Sequence, residues 1–432
     1  MRLGLLCLFA LSGAVGAADA PLDGSRAEAL FAQVQTHCRA DAGRLWGVSL
    51  CGPVMLVEPV SRTFLANRQN RVGTLRPTGG VFAGTLPPGL PIANTAVEID
   101  GMRWSQVLND GASAIDAQLL LHEMYHRIQP QLGPALAEAD NGHLDTLEGR
   151  YLLRLELAAL REALAGSGRA RRAAVADALA IRRARWKRFP AAAHAEATLE
   201  LNEGLAEYTG IVLAHRGHAS RREAALAQLR RIDAAPSLVR SFAYATGPAY
   251  GLLLDEDRRR WRRQVAEASL SALLAETIPR GAAPDDGELA ESLQARYGGT
   301  ALRAFEVERE GQRLRRVEHY EQLLVQGQTL ELPNAAMNFS FNPNAVVPLG
   351  DHGNVYPSLD AKAEWGAIEV RDGALISADW MRLVVAAPTT VTGGLASGPG
   401  WTLRLAPGWT IVEAGGRSQV VRGKPTAPAA EM

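Results

Sequence analysis

The segment Leu119 to Gln129 reads LLLHEMYHRIQ, with His122 and His126 four positions apart and Glu123 directly after the first. In an α-helix, residues i and i+4 are separated by about 400° of rotation and about 6 Å of rise, so the two imidazoles leave one face almost one above the other. They can share a zinc ion. Glu123 leaves the same turn about 100° away and can reach a metal-bound water without being a ligand itself. That is where metal-assisted hydrolysis needs its general base.

A catalytic zinc site takes three protein ligands and keeps the fourth position for water. Downstream, His143, Asp145, Glu148, Glu156 and Glu203 have suitable side chains. Glu203 belongs to the segment LELNEGLAEY, which suits a helix and places Glu207 on the same face at i+4. One carboxylate of such a pair can bind the metal while the other accepts the free N–H of a ligating imidazole and fixes its tautomer. Glu148 and Glu156 are the rival third ligands, but lack the flanking Asn202 and the paired carboxylate.

The two segments together resemble the gluzincin branch of zinc metallopeptidases, in which H-E-x-x-H is followed by a helix bearing an N-E-x-x-[A/S]-[D/E]-like motif. The resemblance implies a zincin-like core, with His122, His126 and Glu203 as ligands of one Zn²⁺, Glu123 as base and Glu207 behind the ligands. Glu203 follows His126 by 77 positions, far more than in the better-known members. A folded insertion accounts for this, because loop closure becomes costlier only slowly with length. Gluzincins also carry a tyrosine in a Y-x-x-G stretch that donates to the oxyanion; here Tyr244-Ala245-Thr246-Gly247 is similar, with Tyr250 as the alternative donor. The G-x-M-E-N segment of one aminopeptidase group is absent before His122. The resemblance runs from about Asp116 to Asp255 and implies a peptide or protein substrate. A non-catalytic binding module on the same scaffold, or a zinc hydrolase acting on another acyl bond, are the alternative readings.

The elements that position these residues are legible in outline. Ser113 and Asp116 form a capping-box-like start to the H-E-x-x-H helix, and Pro130 stops it. Before it, 21–112 reads as mainly β, after a helix from Gly24 to about Arg39. One hairpin is expected between Leu45 and Asn67, and another where Asp100-Gly101 joins Thr95–Ile99 to Met102–Ser105. The edge strand near Ala96 to Ile99, or its partner, is the expected place for an extended substrate to add. Residues 113–326 read as a helical zinc-peptidase domain. Its Ala/Leu/Arg stretch from Leu147 to Arg188, broken at Gly166-Ser167-Gly168, suggests a helical hairpin with solvated arginines. His143 reads as a loop or capping histidine, and Asp255 to Arg263 as an exposed charged helix face around Trp261. Residues 327–425, rich in Val, Thr, Trp, Gly and Pro, suggest a β-sandwich or barrel that could bind substrate or partner, and 426–432 a tail. The fold class is therefore α+β: an N-terminal antiparallel sheet, a large helical region and a C-terminal β domain.

With 46 Lys+Arg against 46 Asp+Glu over 432 residues, net charge is zero. That removes the electrostatic case for a nucleic-acid or anionic-membrane partner. Only Lys187, Lys362 and Lys424 are lysines, leaving 43 arginines; Ala and Gly are abundant with Arg, which fits codon bias. Arg2, an apolar run from Leu3 to about Val15 and small residues up to Ala18-Asp19-Ala20 read as a signal peptide over 1–20, cleaved near Ala18 or Ala20. No later run is long enough for a transmembrane helix. Export to the periplasm or medium would leave Cys38 and Cys51, as a disulfide or as two buried thiols.

Overall fold

A computed structural model describes residues 24–423 except 60, 88, 110–114, 134–139, 234, 236, 258–259, 279–289, 336, 343–344 and 415–416. The expected signal peptide, Ser113, Lys424 and the tail lie outside the described residues. The protein is α+β and divides into two compact units, Met1–Val307 and Glu308–Met432.

The first unit opens with helix α1 (Gly24–Asp41), which buries Ala27, Phe31, Val34 and Cys38. Among the described residues six strands follow: β1 (Val54–Val57), β2 (Thr63–Ala66), β3 (Arg76–Thr78), β4 (Val81–Thr85), β5 (Thr95–Ile99) and β6 (Met102–Leu108). Their order in the sheet is β3-β4-β2-β1-β6-β5. The sheet is mixed rather than antiparallel: β1 and β2 form a hairpin, but β1 also runs parallel to β6, with Val54 opposite Ser105. Parallel neighbours need a long crossover, here the chain between β2 and β6, and no local pattern announces one. Asp100 and Gly101 join β5 to β6 with φ of 51° and 65°. Two left-handed residues are what a hairpin turn matched to strand twist requires. β5 is left at the sheet edge. Cys38 and Cys51 are disulfide-bonded, with Cα atoms 5.3 Å apart.

The helices of this unit are α2 (Ala117–Ile128), α3 (Leu147–Ala165), α4 (Gly168–Arg188), α5 (Ala192–Leu199), α6 (Leu205–Ala214), α7 (His218–Asp233), α8 (Ala243–Asp257), α9 (Leu270–Ala275), α10 (Glu291–Arg296) and the start of α11 (Gly299–Glu321). Asp116 caps α2 by accepting from the Leu119 N–H at 2.9 Å, and Pro130 lies in the 3₁₀ turn that ends it. α2 packs against α6 and against β5 and β6. Its buried Leu120, Leu121, Met124, Tyr125 and Ile128 join a core shared with α1, α3, α4 and α8.

Residues Leu147 to Arg188 form the helical hairpin α3–α4, and only some of its arginines form the expected solvated face: Arg169, Arg172 and Arg188 are exposed, but others turn inward. Arg150, Arg154, Arg182 and Arg185 are nearly fully buried. Arg150 and Arg154 both bond Glu306, which is completely buried. Arg182 and Arg185 meet Glu156, Glu196 and Glu200. A guanidinium fork can leave water when carboxylates match its donors, and those carboxylates lie mostly on other helices. The segment Asp255 to Arg263 departs from expectation for the same reason. Trp261 is fully buried, its indole N–H donates to Asp255 at 2.9 Å, and Arg262 also bonds Asp255. α8 has already ended at Asp257.

The second unit begins inside α11, which continues into a π-turn, Gln322–Gln326. Among the described residues thirteen strands follow: β7 (Thr329–Pro333), β8 (Asn338–Phe341), β9 (Val347–Pro348), β10 (Gly353–Tyr356), β11 (Leu359–Ala363), β12 (Gly366–Val370), β13 (Ala374–Ser377), β14 (Arg382–Ala386), β15 (Thr390–Thr392), β16 (Leu395–Gly398), β17 (Trp401–Leu405), β18 (Trp409–Ala414) and β19 (Arg417–Arg422). They make two sheets, ordered β18-β19-β7-β14-β13-β10-β9 and β15-β16-β17-β12-β11-β8. Leu330, Leu332, Ile376 and Leu383 of the first share a core with Leu359, Ile368, Val370 and Leu403 of the second.

Candidate metal centre

His122 and His126 emerge from one face of α2, their rings 4.9 Å apart and their Nε2 atoms separated by 3.2 Å. The third residue arrives through an interruption in a helix. α5 and α6 are the two ends of one run, joined by a π-turn, Glu200–Gly204. Such a turn widens the spiral by one residue and re-aims its side chains. Glu203 lies in it, with Oε2 3.5 Å from His122 Nε2 and 3.4 Å from His126 Nε2.

Close helix crossing makes this approach possible. A Cβ on Gly247 of α8 would fall 2.3 Å from the Cα of Gly204, so backbone touches backbone. One turn earlier on α8, the Tyr244 hydroxyl donates to Glu203 Oε2 at 2.6 Å. The Thr246 hydroxyl donates to Glu200 Oε1, also at 2.6 Å. Both carboxylates of the π-turn are thus held from α8. Glu200 is held from α4 as well, by two bonds from Arg182 at 2.6 and 2.8 Å.

Two imidazole nitrogens and one carboxylate oxygen are a zinc donor set, and their spacing fits the ion. Zinc bonds of roughly 2.0–2.1 Å in tetrahedral geometry put neighbouring ligand atoms about 3.3–3.4 Å apart. The three observed separations are 3.2, 3.4 and 3.5 Å. Among the described residues this is the one group of histidine and acidic side chains converging as a metal site would.

The surrounding groups orient the donors. His122 Nδ1 lies 3.0 Å from Glu207 Oε2, and Glu207 Oε1 accepts from the amides of Gln118 and Gln228. With Glu207 ionised, Nδ1 carries the proton and Nε2 is the nitrogen left free to take a metal. His126 Nδ1 lies 3.0 Å from Gln129 Oε1, whose amide donates to Asn202 at 3.1 Å. The Arg240 guanidinium approaches Glu203 Oε1 at 3.6 Å. Glu123 Oε1 is 3.9 Å from His122 Nε2, while its buried Oε2 has no hydrogen-bond partner among the described residues.

The electrostatics are those of a buried cluster short of positive charge. Burial alone would lower the His122 pKa, but its bonds to Glu203 and Glu207 and the charge of Glu123 carry it up to about 10. His126 is raised against the same desolvation by Glu203 and Glu123. Burial would raise Glu203, yet the two histidines hold it well below the ordinary carboxylate range. Glu123 goes the other way: burial, with Glu203 and Glu207 adding to it, raises its pKa despite both histidines. A carboxylate with a raised pKa can both accept and return a proton.

The other sequence candidates are elsewhere. Glu148 pairs with Arg303 at 3.0 Å, and Glu156 is enclosed by Arg182, Arg185 and the Tyr250 hydroxyl, which donates to it at 2.9 Å. That bond also directs Tyr250 away from the centre. His143 sits in a 3₁₀ turn, Gly142–Asp145, with Nε2 2.8 Å from Glu196. Sequence reasoning missed Gln118, Gln129, Gln228, Arg240 and Glu200; Asn202 it had singled out only as the residue flanking Glu203, not as the acceptor of the Gln129 amide. Gln118 had a signal, because it stands one turn before His122 on the same face of α2.

No protein-family model, no curated protein and no solved structure matches this chain.

Proposed function

We propose that the chain is a zinc-dependent peptidase with a gluzincin-like core. The observation that carries this reading is the convergence of His122, His126 and Glu203 at tetrahedral ligand spacing beside a buried, unpaired Glu123 oxygen. His122, His126 and Glu203 would hold the ion. When bound, zinc polarises a carbonyl and lowers the pKa of a coordinated water toward 7.

Glu123 takes the proton from the attacking water and returns it to the leaving amine; its raised pKa suits both transfers. Glu207 holds His122 in the ligating tautomer through the 3.0 Å contact at Nδ1. Tyr244, whose hydroxyl donates to Glu203 at 2.6 Å and whose ring stacks 5.6 Å from that of His122, would serve a developing oxyanion by turning that one proton from Glu203 to the substrate oxygen. The edge of β5, packed beside α2, offers an extended peptide a strand to pair with. The Arg2-led apolar N-terminus supports an exported protein, and the disulfide suits an oxidising compartment.

The test is Glu123→Gln in the zinc-loaded protein against a mixed peptide library. Hydrolysis should fall by roughly 10²–10⁴-fold with zinc content unchanged. Equal turnover by parent and variant, or a parent that retains no stoichiometric zinc through dialysis, would overturn the reading.

A further inference from the structure

The second unit contains a cavity of about 330 Å³ on the face of its seven-stranded sheet turned away from the sandwich core. Strand register places its walls. Glu331 of β7 stands opposite Val384 of β14 and Gln419 of β19, and Val384 stands opposite Leu375 of β13. Side chains alternate along a strand, so Arg382 shares that face with Val384, Ser377 with Leu375, and Arg417 with Gln419. Leu330, Leu332, Ile376 and Leu383 point the other way, into the core between the sheets. Leu324, from the π-turn that ends α11, packs on Leu375 and Val384 and completes an apolar floor.

The charges at this cavity are not balanced pair by pair. Glu331 is almost covered, its side chain 10% exposed, yet two guanidiniums address it: Arg417 at 2.9 Å and Arg382 at 3.5 Å. One cation would neutralise it. Both arginines are about half exposed, so each keeps donors free for a second carboxylate. The lining also carries Asp351 and Asp379, neither in an ion pair among the described residues. Asp379 is fixed in place by the Ser377 hydroxyl at 2.5 Å and the Met381 N–H at 3.0 Å. Two forked cations shared with Glu331, two further carboxylates outside any ion pair among the described residues, with Asp379 presented by Ser377 and Met381 and lying in the field of Arg382, and an apolar floor within one small cavity complement a molecule with a carboxylate, an ammonium and an apolar body.

We propose that this cavity binds a short zwitterionic peptide with an apolar side chain, its carboxylate on Arg382 and Arg417 and its ammonium on Asp351 and Asp379. At about 30 Å³ per water, the volume corresponds to about eleven waters, which suits a dipeptide rather than a long chain. Binding here needs no metal and is independent of the peptidase reading.

The test is calorimetric titration of the full chain carrying His122→Ala and His126→Ala, so that the metal centre contributes nothing, with Ala-Leu as probe. One molecule should bind per chain. Ala-Leu amide and N-acetyl-Ala-Leu, each lacking one terminal charge, should bind at least tenfold more weakly. Arg382→Met, which leaves Glu331 its closer partner Arg417, should weaken Ala-Leu at least tenfold, and Asp379→Asn should restore much of the N-acetyl form's relative affinity. Absence of binding by all three probes, equal binding of the capped and uncapped forms, or undiminished binding by both variants would overturn the assignment.

Discussion

Gly247→Ala isolates the contact on which the candidate metal centre is built. The new methyl would lie 2.3 Å from the Cα of Gly204, 2.6 Å from its carbonyl carbon and 2.8 Å from its oxygen. Carbon atoms rest at roughly 3.5–4.0 Å, so the π-turn and α8 must part by about 1.2–1.7 Å, and the atoms in the way are backbone that cannot rotate aside. Glu203 is the residue before Gly204. A shift of that size opens its 3.4 and 3.5 Å separations from the histidines beyond a tetrahedral edge and breaks the Tyr244 bond. Zinc affinity, measured by competition with a chromophoric chelator, should fall at least about 10–100-fold, the scale seen when groups supporting metal ligands are removed. Two terms oppose each other in stability. Replacing a helical glycine gains about 0.5–1 kcal/mol, while overpacking against backbone costs about 1–3 kcal/mol, so the metal-free variant should lose up to about 2.5 kcal/mol on urea unfolding. Gly311→Ala in α11 is the control, because its methyl meets only the flexible end of Arg315 at 3.3 Å; it should be neutral or stabilising. A Gly247→Ala protein that binds zinc as tightly as the parent and unfolds at the same urea concentration would refute this account of how Glu203 is placed.

Removing Arg182 by Arg182→Met leaves Glu156 and Glu200 as buried carboxylates missing their shared partner; urea unfolding should show a loss of about 3–5 kcal/mol, and a loss under 1 kcal/mol would deny that the network holds the π-turn. In the metal-free protein the raised His122 pKa means that zinc must displace a proton, so zinc affinity should fall as pH drops from 9 to 6, with proton release visible in calorimetry run in buffers of different ionisation enthalpy. The same raised pKa makes His122 a stabilising group in the metal-free fold below its unfolded value near 6.5, and that contribution should disappear as pH rises through about 10; a metal-free unfolding free energy that does not decline over this range would contradict it. Cys38→Ala with Cys51→Ala opens a loop with 13 positions between its ends and should cost about 3 kcal/mol by loop entropy, read as a lower urea midpoint than the oxidised parent's.

What the linear order of residues settled is whatever depends on neighbours a few positions apart. His122, Glu123 and His126 share a helix face because 3.6 residues make a turn, and Asp116 and Pro130 bound that helix through capping and ring sterics. Asp100 and Gly101 make their turn because both tolerate left-handed backbone. The choice among Glu148, Glu156 and Glu203 was of another kind. The paired Glu207 and flanking Asn202 favoured Glu203, yet only the packed helices show Glu148 and Glu156 already committed to arginines. The solvated face expected of the helical hairpin holds for Arg169, Arg172 and Arg188 but not for Arg150, Arg154, Arg182 and Arg185, because charge periodicity reports a side chain's own polarity and not the carboxylate it meets from another helix. The parallel pairing of β1 with β6 was equally invisible, since its partners stand about fifty positions apart. The sequence therefore determined the side chains on offer, the two histidines, the Glu123 carboxylate beside them and the capped helix that presents them. Tertiary structure decided where the third donor lands, because that position rests on a π-turn and on two glycines, 43 positions apart, whose lack of side chains lets two backbones touch.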